Sequence, residues 1–250
     1  MFPLRDDNPT ELFPIVTLLI IAACVLAWVL VQGAGTSPEL LSQSICTLGA
    51  IPAEVTGAAA RDLAAAPCQM GGLTWQALFS SMFMHASWMH LIGNMWFLWI
   101  FGNNVEDSMG HLRFLVFYIL CGLVAALAHV YTDASSALPM VGASGAISAV
   151  MGAYVVLYPR ARVDTLFFFL IFIRIIPLPA WVMLGYWMAI QVFSSIADPG
   201  SGGGVAYLAH IGGFLAGALL IMVFRNPKLV GAKRSGVRLS RSEIDHGGWW

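Results

Sequence analysis

Charged side chains are scarce in this sequence of 250 residues, where they make up only 10% of the chain while 59% is hydrophobic. An average soluble domain is about 25% charged, so a soluble core of this size could not bury so much apolar surface. The net charge of -1 also gives no electrostatic reason to expect nucleic-acid binding. The composition therefore predicts a membrane protein whose surroundings are the lipid bilayer.

Amphipathic spacing is largely missing too, because the apolar residues fall in long continuous runs, and a run of about 18 or more is typical of a membrane span. The first run, Phe13 to Val31, is too long for the apolar part of a cleaved secretory signal, so we expect it to be retained. We predict an all-α polytopic membrane protein with six spans at about 13–32, 86–103, 112–131, 143–158, 178–197 and 206–224.

Four segments lie outside these predicted spans. Residues 1–12 form a short tail, and residues 33–80 form a long loop rich in Gly, Ala and Pro in which we expect short interfacial helices. The apolar segment Leu166 to Ile176 is short for a span, and we place it at the membrane interface leading into the fifth helix. The basic tail, 225–250, is expected to be flexible and soluble.

Basic residues are distributed very unevenly over this topology. If both termini are cytoplasmic, eleven of the twelve Lys and Arg lie on that side and only Arg61 lies on the other. Such an excess on one face is the positive-inside pattern. We therefore expect a multi-pass protein of a bacterial inner membrane, with both termini cytoplasmic and the loops 33–80, 132–142 and 198–205 facing outward.

Cysteine is rare as well, with four in the chain. Cys24 and Cys121 lie within predicted spans and are interpreted as small packing residues. Cys46 and Cys68 lie in the outward loop, where they could form a disulfide or remain two free thiols.

No Asp or Glu lies inside a predicted span, which argues against a transporter or a proton pathway. The zinc-protease motif H-E-x-x-H is also absent. A metal held on the outer side remains a minor alternative, for which the candidate ligands are His85, His90, His129 and His210. No cofactor and no metal are predicted, and nothing in the sequence indicates an oligomeric state.

The few polar residues within the spans lie at similar depth. The second, fourth and sixth spans all begin on the outer side; Ser144 begins its span and His210 is about one turn into its own. His90 and Asn94 lie four apart on one helical face, one to two turns into the second span. These residues can therefore belong to one site near the outer membrane face.

Small residues at a spacing of three or four let membrane helices approach closely. Two predicted spans carry such stripes, which comprise Ser144, Ser148 and Gly152 on one helix and His210, Gly213 and Gly217 on the other. A serine hydroxyl is a weak nucleophile until a neighbouring base takes its proton, and His210 could serve Ser144 as that base. With no acid in the spans, the pair would be a dyad.

The start of the fourth span adds hydrogen-bond donors to this pair. Because Ser144 begins a helix, its backbone N–H has no partner within the helix and could bind an oxyanion. The side chains of Asn94 and His90 could donate further hydrogen bonds to the same atom.

Rhomboid intramembrane proteases have three signature segments that this sequence resembles, namely HASWMHLIGNM (85–95), GASGA (142–146) and AHIGGFLAG (209–217). The likeness includes FGNNVEDSMG (101–110) and extends over roughly residues 75–220. It implies a six-span rhomboid bundle of the bacterial type, with a long outward first loop, that cuts transmembrane protein substrates near the outer membrane face.

The resemblance also implies roles for individual residues. Ser144 would be the nucleophile and His210 the general base, and the oxyanion hole would comprise His90, Asn94 and the Ser144 amide. His85 would help shape the site and its water supply. The residues expected to support the site are Gly142, Gly145, Ser148 and Gly213.

Two positions depart from the family pattern. Trp75-Gln76 stands where many members carry Trp-Arg, and Ser148 stands where an aromatic side chain often packs on the catalytic histidine, which leaves the orientation of His210 to another contact. The alternative function is that of a rhomboid-like protein that binds or escorts membrane clients without cutting them. Such proteins lack the serine or the histidine, whereas this chain has both, so we favour an intramembrane serine endopeptidase.

Overall fold

The computed structural model describes residues 1–60, 66–72, 74–169, 172–197 and 206–234. Three predicted features lie outside these residues, namely the outward loop 198–205, Arg61 and the end of the tail, 235–250. The described chain is mostly helical. Its helices are α1 (Ile15–Leu26, continued by a π-helical segment, Ala27–Val31), α2 (Pro38–Leu48), α3 (Pro52–Thr56), α4 (Trp75–Ser80), α5 (Trp88–Met109), α6 (His111–Thr132), α7 (Ser144–Leu157), α8 (Ala180–Ala197), α9 (Tyr207–Phe224) and α10 (Pro227–Arg234).

Within the described residues, three helices are long and apolar enough to cross a membrane, namely α6, α8 and α9. Two shorter apolar helices are Ile15–Val31 and α7. Helix α5 has 22 residues but carries several polar side chains, among them Asn94, Asn104 and Glu106. A helix therefore lies in each predicted span, and the count of six membrane crossings stays a prediction.

Helix α7 is the centre of the bundle. Ten of its 14 residues are buried, so it is covered on nearly every side, and it packs against α5, α6, α8 and α9. Helix α9 instead buries a single stripe of residues spaced four apart, Ala209, Gly213, Gly217 and Ile221. That stripe lies against α7, with α6 packed beside it.

Three glycines bring α7 and α9 into backbone contact. A Cβ atom at Gly213 would overlap the carbonyl oxygen of Gly145, and one at Gly217 would overlap that of Ala149. From the other side, a Cβ atom at Gly152 would overlap the carbonyl of Phe214. The predicted stripe of α9 is therefore confirmed as a contact surface, whereas on α7 the contact includes Gly152 of the predicted stripe together with the carbonyls of Gly145 and Ala149.

The all-α prediction is wrong in one part, because a three-stranded antiparallel sheet joins β1 (Phe2–Asp6), β2 (Arg162–Phe169) and β3 (Phe172–Pro179) in the order β1-β2-β3. The segment between Arg162 and Pro179 is rich in Phe and Ile, which favour strands. Pro177 and Pro179 lie on an edge strand, where the missing N–H is tolerated. Helix α8 consequently begins at Ala180 instead of 178.

Both terminal segments contain regular structure, and for the C-terminal tail this differs from the predicted flexible segment. The N-terminal tail contains β1, and the C-terminal tail begins with α10 instead of a flexible segment. Val230 of α10 is buried, and the Nζ atom of Lys233 lies 2.9 Å from the Oδ2 atom of Asp107 at the end of α5. Both contacts need a partner distant in sequence, which is why the composition of the tail did not predict them.

The first loop contains the expected short helices α2, α3 and α4. A disulfide between Cys46 and Cys68 joins α2 to the segment ahead of α4. Of the two alternatives predicted for this pair, a disulfide or two free thiols, the first is therefore confirmed. Cys24 and Cys121 are free and buried, as packing residues are. The loop therefore lies at the same end of the bundle as the first residue of α7, where Ala50 pairs with Met140 through backbone hydrogen bonds.

Candidate active site

Ser144 is the first residue of α7, and the segment before it is held by backbone contacts. The N–H of Gly142 donates to the carbonyl of Ser81 at 2.8 Å, and Gly142 has a φ of +126°, a conformation that favours glycine. No side chain caps α7, so the amide of Ser144 has no partner within its helix. The hydroxyl and the amide of this residue thus lie together in the first turn of the central helix.

His210 lies in the first turn of α9, where its N–H donates to the carbonyl of Ala206 at 3.2 Å. The Nε2 atom of its ring is 2.8 Å from the Oγ atom of Ser144, which is a hydrogen-bond distance. The glycine contacts between α7 and α9 set this distance, because they bring the backbones of the two helices together. The structure thus joins the two residues that the sequence proposed as a dyad.

Gln191 and Trp187 of α8 lie against the same imidazole. Neither residue was among the site residues predicted from the sequence. The Oε1 atom of Gln191 is 2.8 Å from the Nδ1 atom of His210, and the Trp187 ring lies 5.8 Å from the His210 ring at an angle of 39°. They are four residues apart and therefore share one helical face. The sequence did contain a signal for Gln191, because a polar side chain within an apolar span usually has a function or a partner. An aromatic ring thus lies against the imidazole from α8 and not from position 148.

His90 and Asn94 approach the serine from α5. Ser87 caps this helix by accepting a hydrogen bond from the His90 N–H at 3.1 Å, which places His90 in the first turn. A Cβ atom at Gly142 would lie 2.8 Å from the Nε2 atom of His90 and 3.6 Å from the Nδ2 atom of Asn94. Within the described residues that Nδ2 atom is buried without a hydrogen-bond partner, so a donor is free beside the loop that precedes Ser144.

His85 lies behind His90, with the two ring centroids 5.1 Å apart. Its backbone is clamped by the side chain of Gln32, whose Oε1 and Nε2 atoms each form a 2.8 Å hydrogen bond with it. His85 is fully buried, and its Nε2 atom has no hydrogen-bond partner in the described part of the chain. The clamp fixes the approach to α5 and therefore the position of His90.

The other residues predicted to support the site lie close to Ser144 but act through packing. The hydroxyl of Ser148 donates to the carbonyl of Ser144 at 2.6 Å, so it is satisfied within its own helix although the residue also lines the cavity. Gly145 faces Ala125 of α6, and Gly213 faces the carbonyl of Gly145. These residues position the serine and its helix neighbours.

A cavity of about 1100 Å³ lies at this site, and His85 and Gly213 are not among the residues that line it. Its lining includes Ser144, His210, His90, Asn94 and Gln191, together with His129 of α6, which was named above only as a candidate ligand of the alternative metal site. Across the described ranges, no three His, Cys, Asp or Glu side chains gather as a metal site would need. The cavity therefore presents the Ser144 hydroxyl, three imidazoles and side-chain amides, and the carboxyl group of Asp133 also lies on its wall.

The apolar helices and the cavity together define a helical membrane protein with a serine–histidine pair. Residues 72–227 match the Rhomboid domain family, which is more than half of the chain. This chain belongs to the rhomboid family. The match also covers the segment, roughly residues 75–220, over which the sequence resembled that family.

Individual relatives match over shorter stretches. The Saccharomyces cerevisiae protein named rhomboid protein 1, mitochondrial, is 29% identical over 147 residues, which cover 57% of this chain and 40% of that protein. The Danio rerio presenilin-associated rhomboid-like protein A, mitochondrial, is 33% identical over 33% of this chain and 22% of its own length. The Arabidopsis thaliana rhomboid-like protein 11, chloroplastic, is 37% identical over 29% of this chain and 26% of its own length.

The chain thus matches less than half the length of each of these three relatives. Their names place them in mitochondria or chloroplasts, whereas the sequence analysis placed this chain in a bacterial inner membrane. The bacterial location and the bacterial type are unsupported by these names and stay predictions.

Proposed function

We propose that this chain is an intramembrane serine endopeptidase that hydrolyses peptide bonds of transmembrane proteins through Ser144 and His210. The observation that carries the proposal is the 2.8 Å separation of the Ser144 Oγ atom from the His210 Nε2 atom at the wall of a large cavity. A packing serine would be satisfied by a backbone carbonyl of its own helix, as Ser148 is. Ser144 instead faces a base.

The reaction begins when the hydroxyl of Ser144 attacks the scissile carbonyl carbon. Its proton passes to the Nε2 atom of His210, and the resulting imidazolium donates that proton to the leaving amine. Water then attacks the acyl-enzyme ester, with His210 again acting as base and returning the proton to the serine oxygen. The proton transfers of both half-reactions need only the two residues and a water molecule that reaches the cavity.

An oxyanion forms in each half-reaction and needs hydrogen-bond donors. The Ser144 amide has no partner within its helix, and the buried Nδ2 atom of Asn94 has none among the described residues. His90 presents its Nε2 atom toward Gly142 on the same side of the serine. A donor that is already in place stabilises the developing charge without reorganisation, which is why such groups contribute strongly to rate.

The proposed substrates are single- or multi-span membrane proteins cut near the outer face of the bilayer. Ser144, His210 and His90 each lie within the first turn of their helices, at the end of the bundle that carries the loop with the disulfide. The opposite end carries Lys233, Asp107 and the N-terminal strand. We place that end on the cytoplasmic side, because eleven of the twelve basic residues lie there in the six-span topology.

The test is labelling of the protein in membranes with a serine-directed fluorophosphonate, combined with cleavage of a single-span test substrate. We expect label on the wild-type protein and none on Ser144→Ala. Ser144→Ala and His210→Ala should both abolish cleavage, because the two residues act as one unit. Ser108→Ala is the matched control, since Ser108 is a buried serine at the opposite end of α5 and should leave labelling intact.

A His210→Ala protein that cut at nearly the wild-type rate would contradict the dyad. Substrate that is retained by the wild-type protein without being cut, together with an absence of label, would instead identify the client-binding alternative.

A further inference from the structure

Gln191 is the one polar side chain of α8 that is both buried and in contact with the proposed dyad within the described residues. It is 7% exposed, and its Oε1 atom lies 2.8 Å from the Nδ1 atom of His210. A polar side chain is costly inside a membrane helix and is retained where it has a function or a partner. Here the partner is the nitrogen of the imidazole that faces away from the serine.

The two hydrogen bonds of His210 determine where its proton must be. A neutral imidazole has one nitrogen that donates and one that accepts. To act as a base, the Nε2 atom must accept from the Ser144 hydroxyl, so the proton must be on the Nδ1 atom. The carbonyl oxygen of Gln191 can only accept, and it therefore selects the tautomer that has this arrangement.

We propose that Gln191 is the positioning residue of the dyad, which fixes the tautomer and the ring plane of His210 as an acid does in a triad. This inference rests on the proposed function. When the serine proton moves to the Nε2 atom, both nitrogens of the imidazolium become donors. The Nδ1–H bond to Gln191 then strengthens, because hydrogen bonds from a charged donor are stronger than neutral ones.

Trp187 completes the same contact one helical turn away. Its ring lies against His210 at 5.8 Å and is stacked on Phe214 at 6.4 Å, with an interplanar angle of 27°. The indole therefore limits tilting of the imidazole, while Gln191 limits its rotation. A single face of α8 supplies the orientation that the family pattern assigns to the position of Ser148.

The test compares two substitutions of nearly equal size at position 191. Gln191→Met removes the acceptor and fills the space, whereas Gln191→Glu keeps an acceptor oxygen at the same reach. We expect Gln191→Met to lower kcat by about 10- to 100-fold, because a hydrogen bond that selects the reactive tautomer is lost. KM should change by less than about threefold, because the side chain does not hold substrate. The kcat of Gln191→Glu should be at least about tenfold higher than that of Gln191→Met, because a carboxylate accepts a charge-assisted and therefore stronger hydrogen bond from the Nδ1–H group.

The ¹⁵N resonances of the His210 imidazole provide a readout that does not depend on proteolysis. We expect a protonated Nδ1 atom in the wild-type protein and a mixture of tautomers in Gln191→Met. If neither Ser144-dependent cleavage nor labelling is found in the wild type, the proposed function fails, and these spectra still decide the role of Gln191.

Several outcomes would overturn the inference. These are a wild-type kcat in Gln191→Met, an equal loss in Gln191→Met and Gln191→Glu, an effect on KM alone, or the same tautomer with and without the acceptor. Should Gln191→Met fail to fold, Gln191→Asn replaces it, because the shorter side chain keeps an amide in the helix but withdraws its oxygen from the Nδ1 atom.

Discussion

Gly217 of α9 lies directly against the backbone carbonyl of Ala149 in α7, with no space for a Cβ atom between them. The contact lies two helical turns below His210, on the same face of α9 as Gly213. It determines how closely the helix that carries the imidazole can approach the helix that carries the serine hydroxyl. The hydrogen-bond distance within the proposed dyad therefore depends on glycine as much as on the reacting residues.

Gly217→Ala should separate α7 from α9. The obstacle is backbone and cannot move aside as a flexible side chain would, so we expect a loss of about 1–3 kcal/mol in stability and a marked loss of cleavage. Thermal unfolding in detergent and the cleavage rate are the measurements. Gly185→Ala in α8 is the matched control, because its added methyl group would meet no atom of another helix within 4 Å. Equal behaviour of the two variants would show that the close approach is unimportant.

Gly142→Ala should lower kcat by displacing the ring of His90, from which the new Cβ atom would lie only 2.8 Å. The substitution also imposes an unfavourable backbone conformation, since the φ of Gly142 is +126°. Gly71→Ala separates the two effects, because Gly71 has a similar φ of +112° with open space around it. We expect Gly71→Ala to lower stability at most and to leave kcat unchanged. If kcat fell in both variants, the loss in Gly142→Ala could be assigned to backbone strain instead of to displacement of His90.

Asn94→Ala should lower kcat by about 10²–10³ with little change in KM, because an oxyanion donor acts chiefly on the transition state. Steady-state kinetics on the single-span substrate measures both constants. Asn103→Ala, near the other end of α5, is the control and should cut normally. A variant that bound substrate poorly but turned it over at the wild-type rate would make Asn94 a packing residue.

Substrates should carry Gly, Pro or other weak helix formers near the outer end of their span. A helical backbone keeps the scissile carbonyl hydrogen-bonded, so cleavage at Ser144 needs local unwinding, and each polar group freed in lipid costs several kcal/mol. A small residue should precede the cut, because the surroundings of Ser144 are rich in Gly and Ala. Replacing the helix breakers of a substrate series by Leu tests this. Unchanged cleavage of the all-Leu version would refute the recognition mechanism.

Reporter fusions test the orientation of the bundle. A reporter joined after residue 234 should be cytoplasmic, and one inserted in the loop 132–142 should be external, as the distribution of basic residues requires. The opposite pattern would put the candidate site at the wrong membrane face.

The sequence by itself determined which residues could do chemistry. Polar side chains are rare enough within the apolar runs that Ser144, His210 and Asn94 could be recognised, and the small-residue stripes predicted which helices meet. Family membership was also predictable, because the signature segments of the family are short stretches of consecutive residues.

Only the tertiary structure decided what orients the imidazole. Gln191 and Trp187 lie on a helix without a signature segment, and their contact with His210 depends on how α8 is rotated against α9. The sheet likewise needs β1 to pair with a segment about 160 residues away, as Phe2 does with Leu166. Whether Cys46 and Cys68 form a disulfide could be decided only from the distance between them in the folded chain. In each case the stabilising contact joins distant parts of the chain, and local periodicity carries no information about such distances.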